Sequence, residues 1–238
     1  MLNNSNIRRV FRATENILLS IFVLLLLLLL LSSCEKKESG LPTDGDGNEY
    51  DTVVIGTQVW LAENLKTTKY NNGVSIPLVT DNTQWTSLSS AAFCWYNNDK
   101  SHKNTYGGLY NWWAANVSLL CPLGYHVPSL EEWNTLITFL GGKSVAGNKL
   151  KATGFQYWYN SGMVITNESG FSAMPGGVRS SHDGTFNGIR YGGSWWSTTS
   201  WSYDNYAYYL GLDYNYCNAD LSIWFKKAGY SVRCVKDN

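Results

Sequence analysis

The spacing of apolar and polar residues changes along the chain, and it predicts two short helices followed by many short strands. "TVVIGTQVW", residues 52–60, places two β-rich triplets on either side of Gly56-Thr57, a two-residue turn typical of hairpins. From residue 157 onward, glycines separate short aromatic stretches, which is typical of antiparallel strands and long loops. This order predicts an α+β fold with small antiparallel sheets.

The two helices are predicted by apolar residues that recur at helical spacing. In "GGLYNWWAANVS" these residues span 110–117 and mark one face of a short helix. In "CPLGYHVPSLEEW" and the residues after it, Ser129 and Glu132 have the spacing of a capping box, and an apolar face runs from Trp133 to Leu140. The pair Gly141-Gly142 ends this second helix.

The same stretch contains a cysteine, a histidine and two glutamates, the residue types of a metal or catalytic site. Glu131 and Glu132 both have places in the first helical turn, where the helix dipole favours negative charge. His126 has no second histidine within ligand spacing. We therefore expect His126 to be a packed or hydrogen-bonded side chain rather than a ligand.

The N-terminal residues have the pattern of an export signal. Three arginines within the first 12 residues precede an apolar run, Ile17 to Leu31, that is shorter than the roughly 20 residues of a membrane span. "LSSC" then resembles the bacterial lipobox, which implies cleavage before Cys34 and lipid attachment to it. The alternative is an ordinary signal or a short anchor with a chance cysteine. We expect a signal peptide at 1–33, a polar, flexible tether at 34–49 and a folded domain at 50–238.

Charge and ligand spacing exclude several classes of partner. Removing residues 1–33 takes away three of the 18 basic and one of the 18 acidic residues, which leaves a net charge of −2. Because the Lys and Arg residues do not cluster into a basic stripe, we do not expect the protein to bind nucleic acid. Asp44, Asp46 and Asn48 have calcium-loop spacing, but Ile55 stands at the twelfth position, where such a loop needs a bidentate glutamate. We expect no metal and no cofactor.

Four cysteines remain if Cys34 carries lipid, and an even number in an exported chain favours disulfides. Their sequence positions allow three connectivities. None of them forms a C-x-x-C or a closely spaced Cys/His set, which argues against a structural zinc site.

Six ordered stretches of the sequence resemble a known family. They are "DGNEYDTVVIGTQVWLAENLKTTKYNNG", "CWYNND", "YGGLYNWWAA", "CPLGYHVPSLEEW", "GFSAMPGGVR" and "GYSVRCVKD". Together they resemble the Fibrobacter succinogenes major paralogous domain, a family typical of exported or surface-attached bacterial proteins. The resemblance implies a C-type-lectin-like fold group, which also includes formylglycine-generating enzymes. It further implies a disulfide between Cys121 and Cys234, with Cys94 and Cys217 as the remaining pair.

The sequence contains eleven tryptophans and sixteen tyrosines, and we expect most of these rings to be packed in the core. The stretch "GGSWWSTTSWSYDNY" combines rings with short polar side chains, a mixture that sugar binding uses. Our candidate ligand-binding residues are therefore Trp195, Trp196, Trp201 and Tyr203. The competing interpretation is that alternate rings such as Trp195 face the core. The sugar motifs of calcium-dependent C-type lectins are absent from the sequence.

The hypothesis that these features favour is a lipid-anchored binding or adhesion module on the bacterial outer membrane or cell surface. Its partners are the membrane, through the lipid, and a glycan or a cell-surface protein. One alternative is a structural envelope or fimbria-like component. A less favoured one is an enzyme related to formylglycine-generating oxidases; none of the three histidines lies in a nucleophile motif, and we expect no catalytic residue.

Overall fold

The computed structural model describes Ile21 and residues 40–154, 156–160 and 162–237. The rest of the predicted signal peptide lies outside the described residues, as do Cys34 and the tether positions up to 39. From Leu41 onward the chain forms one compact unit. No helix among the described residues is long and apolar enough to span a bilayer.

The described chain contains short strands and helices joined by long loops. In chain order the strands are β1 (Thr52–Ile55), β2 (Gln58–Leu61), β3 (Phe93–Cys94), β4 (Leu109–Tyr110), β5 (Tyr125–His126), β6 (Gly176–Arg179), β7 (Phe186–Ile189), β8 (Gly192–Ser200), β9 (Tyr206–Asp213), β10 (Asp220–Phe225) and β11 (Val235–Lys236). The α-helices are α1 (Asn82–Thr86), α2 (Lys103–Tyr106), α3 (Trp112–Ala115), α4 (Leu130–Phe139) and α5 (Lys143–Leu150).

The strands form three sheets. One has the order β1-β2-β11-β5, a second has the order β10-β9-β8-β6-β7, and β3 pairs with β4 alone. All pairs are antiparallel except β6 with β8. Short helices beside small sheets confirm the predicted α+β class. The lectin-like relationship stays a prediction.

Local sequence signals position the first hairpin and the longest helix as predicted. Ile55 pairs with Gln58 across the turn, and Gly56 has the positive φ of +63° that the turn needs. In α4, the Ser129 side chain accepts a hydrogen bond from the Glu132 amide, and the Glu132 side chain accepts one from the Ser129 amide. The capping box is therefore confirmed.

The other helix prediction needs correction, and helices α1, α2 and α5 were not predicted. The helical spacing at 110–117 yields only the four residues of α3, because Tyr110 belongs to β4 and the Asn111 side chain caps the helix at the Ala114 amide. Helix α5 contains Gly147, a poor helix former. A side chain there would collide with the carbonyl oxygens of Cys217 and Asn218, so tertiary packing explains this helical glycine.

Most of the tryptophan rings form the core, as expected. Eight of the eleven are buried. Trp60 stacks on Trp133 with centroids 4.8 Å apart, and Phe171 meets Trp60 edge-on at 5.6 Å. Rings of this size bury enough apolar area to stabilise a domain whose helices and strands are short.

A fully buried arginine connects strand β2 to two loop segments. The Arg233 guanidinium donates to the Leu61 carbonyl at 3.0 Å, to the Asn64 Oδ1 at 2.8 Å and to the Phe171 carbonyl, and it lies 4.2 Å from the Phe171 ring centroid. Burial lowers the pKa of Arg233 to about 9. Its neighbours are buried as well, since Ser231 and Val232 are as inaccessible as Arg233.

The last part of the predicted tether, residues 41–49, is folded in the structure. The Asp44 carboxylate is buried and accepts hydrogen bonds from the amides of Asp46 and Asn48 and, at 2.6 Å, from the Tyr50 hydroxyl. Asp46 accepts from the Thr68 amide at 2.6 Å. These residues looked flexible because they are polar, but their carboxylates bind backbone donors. The expectation of a free tether therefore does not hold for 41–49.

Candidate ligand-binding surface

Two of the four candidate ligand-binding residues are core residues. Trp195 and Trp196 are both fully buried, because strand β8 is the middle strand of the five-stranded sheet and both of its faces are covered there. The indole of Trp195 donates to the Asn64 Oδ1 at 2.8 Å, and that of Trp196 donates to the Tyr110 carbonyl at 2.8 Å. The prediction that these rings contact a ligand was wrong for both.

The other two candidates lie at the β8–β9 connection, on the surface. Trp201 is partly exposed, and its amide donates to the Tyr206 carbonyl at 3.0 Å, which closes the connection. Tyr203 is 71% exposed. Between and after them stand the exposed polar residues Ser202, Asp204 and Asn205.

Trp201 is part of a larger set of partly exposed rings, which we call the aromatic band: Trp201, Tyr206, Tyr208 and Phe225. Trp201 meets Tyr208 edge-on at 5.6 Å, and the rings of Tyr206 and Phe225 lie 4.4 Å apart. Tyr206 and Tyr208 are two positions apart on β9, and Phe225 is the direct cross-strand partner of Tyr206 on β10. Since strand residues two apart share a face, the band occupies one face of the sheet.

The rings of the band can stack on an apolar surface, while the loop beside them provides hydrogen-bonding groups. This combination suits a ligand that presents both an apolar face and hydroxyl or amide groups. Sequence reasoning missed Tyr206, Tyr208 and Phe225. The alternation in "NYAYYLGL" contained the signal for the two tyrosines, whereas the partnership with Phe225 depends on strand pairing.

His126 lies between two carboxylates. Its Nδ1 is 2.6 Å from Asp237 Oδ1, and its Nε2 is 2.8 Å from Glu132 Oε1. The expectation of a hydrogen-bonded side chain is confirmed. The hydrogen bond to Glu132 and the one to Asp237 raise the pKa of His126 to about 9, against the opposing effect of burial. With both ring nitrogens occupied, the imidazole in this arrangement has neither nitrogen available for a metal or a substrate proton.

We expect the His126 interactions to make stability depend on pH. A pKa raised from about 6.5 to about 9 means that His126 contributes fully below about pH 6.5 and loses its contribution as pH rises to 9. Because the site is partly exposed, the loss should be about 1 kcal/mol. Urea unfolding at pH 6 and pH 9 should show a larger loss in the native protein than in His126→Gln. An equal loss in both proteins would contradict this role.

Protonation of Glu132 should remove the same stabilisation at low pH. Burial alone would raise the pKa of Glu132, but hydrogen bonds from His126 and Ser129 outweigh burial and hold that pKa below its usual range. The contribution of Glu132 is therefore present above its usual pKa and falls as the carboxylate is protonated in acid.

The cysteines form one of the two expected disulfides. Cys121 and Cys234 are bonded, which confirms the first pair. Cys94 and Cys217 are free thiols, and the prediction that they pair was wrong. Cys94 is buried among apolar side chains, and burial raises its pKa to about 12. Cys217 lies instead beside helix α5, where the Asn148 side-chain amide donates to its Sγ at 3.1 Å.

The described part of the chain contains no group of three or more His, Cys, Asp or Glu side chains placed to hold a metal ion. The calcium-like spacing at Asp44 has another explanation, because donors from the protein itself occupy both carboxylate oxygens.

Comparison with known proteins gives a family and no closer relative. Neither the curated proteins nor the solved structures include a significant match. The family model of the Fibrobacter succinogenes major domain matches residues 53–236. This match covers most of the chain and nearly all of the folded unit. The chain therefore belongs to the Fibrobacter succinogenes major domain family.

Proposed function

We propose that this protein is a binding or adhesion module, held at the bacterial surface by lipid on Cys34, that recognises a glycan or a cell-surface protein through its aromatic band. The observation that carries the proposal is the row of partly exposed rings on β9 and β10, extended by Trp201 and the exposed Tyr203. Clusters of exposed rings on a folded domain are typical of interaction sites.

The surroundings of the band support this role. A ring can pack against the apolar face of a sugar or against an aliphatic side chain, and it loses little conformational entropy because few of its torsions are free. Ser202, Asp204 and Asn205 add short polar groups next to Trp201. The lipid-anchor motif and the net charge of −2 remain compatible with display outside the cell.

The proposal predicts that Trp201→Ala weakens ligand binding at least tenfold, a loss of about 1.4 kcal/mol. The full chain, in a detergent without a sugar headgroup, is applied to a broad glycan array and to intact bacterial cells. Tyr208→Ala should weaken the same binding, because Tyr208 supports the Trp201 ring.

Tyr216→Ala is the matched control. Tyr216 is 60% exposed, and it follows the end of β9 that is opposite to Tyr206, so it lies away from the band. We expect it to bind normally. Equal losses in Trp201→Ala and Tyr216→Ala, or no binding to any glycan or cell surface, would contradict the proposal.

A further inference from the structure

A second concave surface lies away from the aromatic band. A cavity of about 310 Å³ opens on the five-stranded sheet, and all five strands contribute to it. The two edge strands take part, β7 through Asn187 and β10 through Asp220. Strands at opposite edges can line one cavity only if the sheet curls around it. We call this cavity the sheet groove; the mouths of such curled sheets are frequent sites for small ligands.

Gly192 leaves part of the groove open, although the fold does not require a glycine there. Gly192 has no positive φ, and a Cβ built there would meet only the Leu212 carbonyl oxygen, at an ordinary contact distance of 3.4 Å. A side chain at Gly192 would therefore be tolerated by the backbone and would fill the groove. Gly192 is the first residue of β8, and a glycine that neither φ nor packing requires marks a place where a ligand can approach the backbone.

The polar groups around the groove define the chemistry of its ligand. Asp213 and Asp220 supply carboxylate oxygens, and Ser194 and Asn187 supply a hydroxyl and an amide. The charge of Asp220 is compensated by Lys143, whose Nζ lies 2.6 Å from its Oδ1. These groups can both donate and accept hydrogen bonds, and Lys143 offsets one of the two carboxylate charges. They suit a neutral ligand with many hydroxyl groups better than an ion.

We propose that the sheet groove binds a neutral sugar ring, as a site separate from the aromatic band. The groove and the band are separated because they lie at opposite ends of strand β8. Gly192 pairs with Asp213 at the start of β8, whereas Trp201 follows its last residue. Nine residues of strand span roughly 30 Å. Gly192 and Asp213 also occupy the face opposite to Tyr206 and Tyr208, by the alternation of strand side chains.

The test is a titration of the full chain with free glucose, galactose, mannose and xylose, followed by NMR of the backbone amides. Each sugar is taken to about 10 mM, which detects a millimolar Kd. We expect saturable shifts for at least one sugar, centred on the amides of Gly192, Ser194 and Gly211. Trp201→Ala should retain these shifts, so failure of the band and failure of the groove can be told apart.

Gly192→Leu fills the groove and should abolish the shifts. Its matched control is Thr52→Leu, which adds the same side chain at an exposed position of the four-stranded sheet and should leave them intact. Asn187→Ala, an exposed change on an edge strand, should weaken binding at least threefold and does not depend on how Gly192→Leu folds. The proposal is overturned by no saturable shift with any of the four sugars, by shifts that persist in Gly192→Leu, or by an unchanged Kd in Asn187→Ala.

Discussion

Replacing Cys121 and Cys234 together by alanine should lower the free energy of unfolding by about 5 kcal/mol. The disulfide joins residues 113 positions apart, and a link across so long a segment removes much conformational entropy from the unfolded chain. Both cysteines are buried, so the loss of two core sulfur atoms adds to the effect. Urea unfolding followed by tryptophan fluorescence measures the change.

The free cysteine at position 217 provides the control. Cys217→Ala removes a partly exposed thiol that closes no covalent loop, and it should cost less than about 1 kcal/mol. If the double variant were no less stable than Cys217→Ala, the bridge between Cys121 and Cys234 would not be the main cross-link of the fold. Thiol titration of the denatured, unreduced protein should find Cys94 and Cys217 free.

Trp196→Ala should lower the free energy of unfolding by about 3–5 kcal/mol, as expected for a buried tryptophan. The Trp196 ring lies 4.4 Å from that of Tyr230, and its indole donates to the Tyr110 carbonyl. Truncation leaves a large cavity between the five-stranded sheet and the rest of the core, and it removes this buried hydrogen bond. Thermal and urea unfolding both measure the loss.

Trp201→Ala is the comparison that separates core from surface within one short stretch. Trp201 is partly exposed, so its truncation should cost less than about 1 kcal/mol while it weakens ligand binding. The opposite pattern, with a stable Trp196→Ala and an unfolded Trp201→Ala, would contradict the assignment of the two rings.

Features with local causes could be predicted from the sequence. The capping box of α4 depends on Ser129 and Glu132 alone, and the first hairpin depends on Gly56-Thr57 between two β-rich triplets. The disulfide from Cys121 to Cys234 came from family resemblance rather than from spacing. These predictions are confirmed because neighbouring residues, or a family pattern, fix the outcome.

Features with long-range causes could not be predicted. Alternation along a strand assigns one face to the core and the other to solvent, but Trp195 and Trp196 are both buried because each face of β8 meets a different part of the core. Arg233 would ordinarily be placed at the surface, and its burial is explained by acceptors from distant segments, the carbonyls of Leu61 and Phe171 and the Asn64 side chain. The sheet groove could not be predicted either, since glycines among strands are equally typical of turns.

Strand β11 has a consequence for how the domain comes together. It is only two residues long, yet it lies between β2 and β5, with Val235 opposite both Trp60 and His126. Until residue 235 arrives, β2 and β5 have no common neighbour and each presents unpaired backbone groups. Folding of this sheet therefore waits for a segment 175 positions after Trp60, which favours a late and cooperative closure.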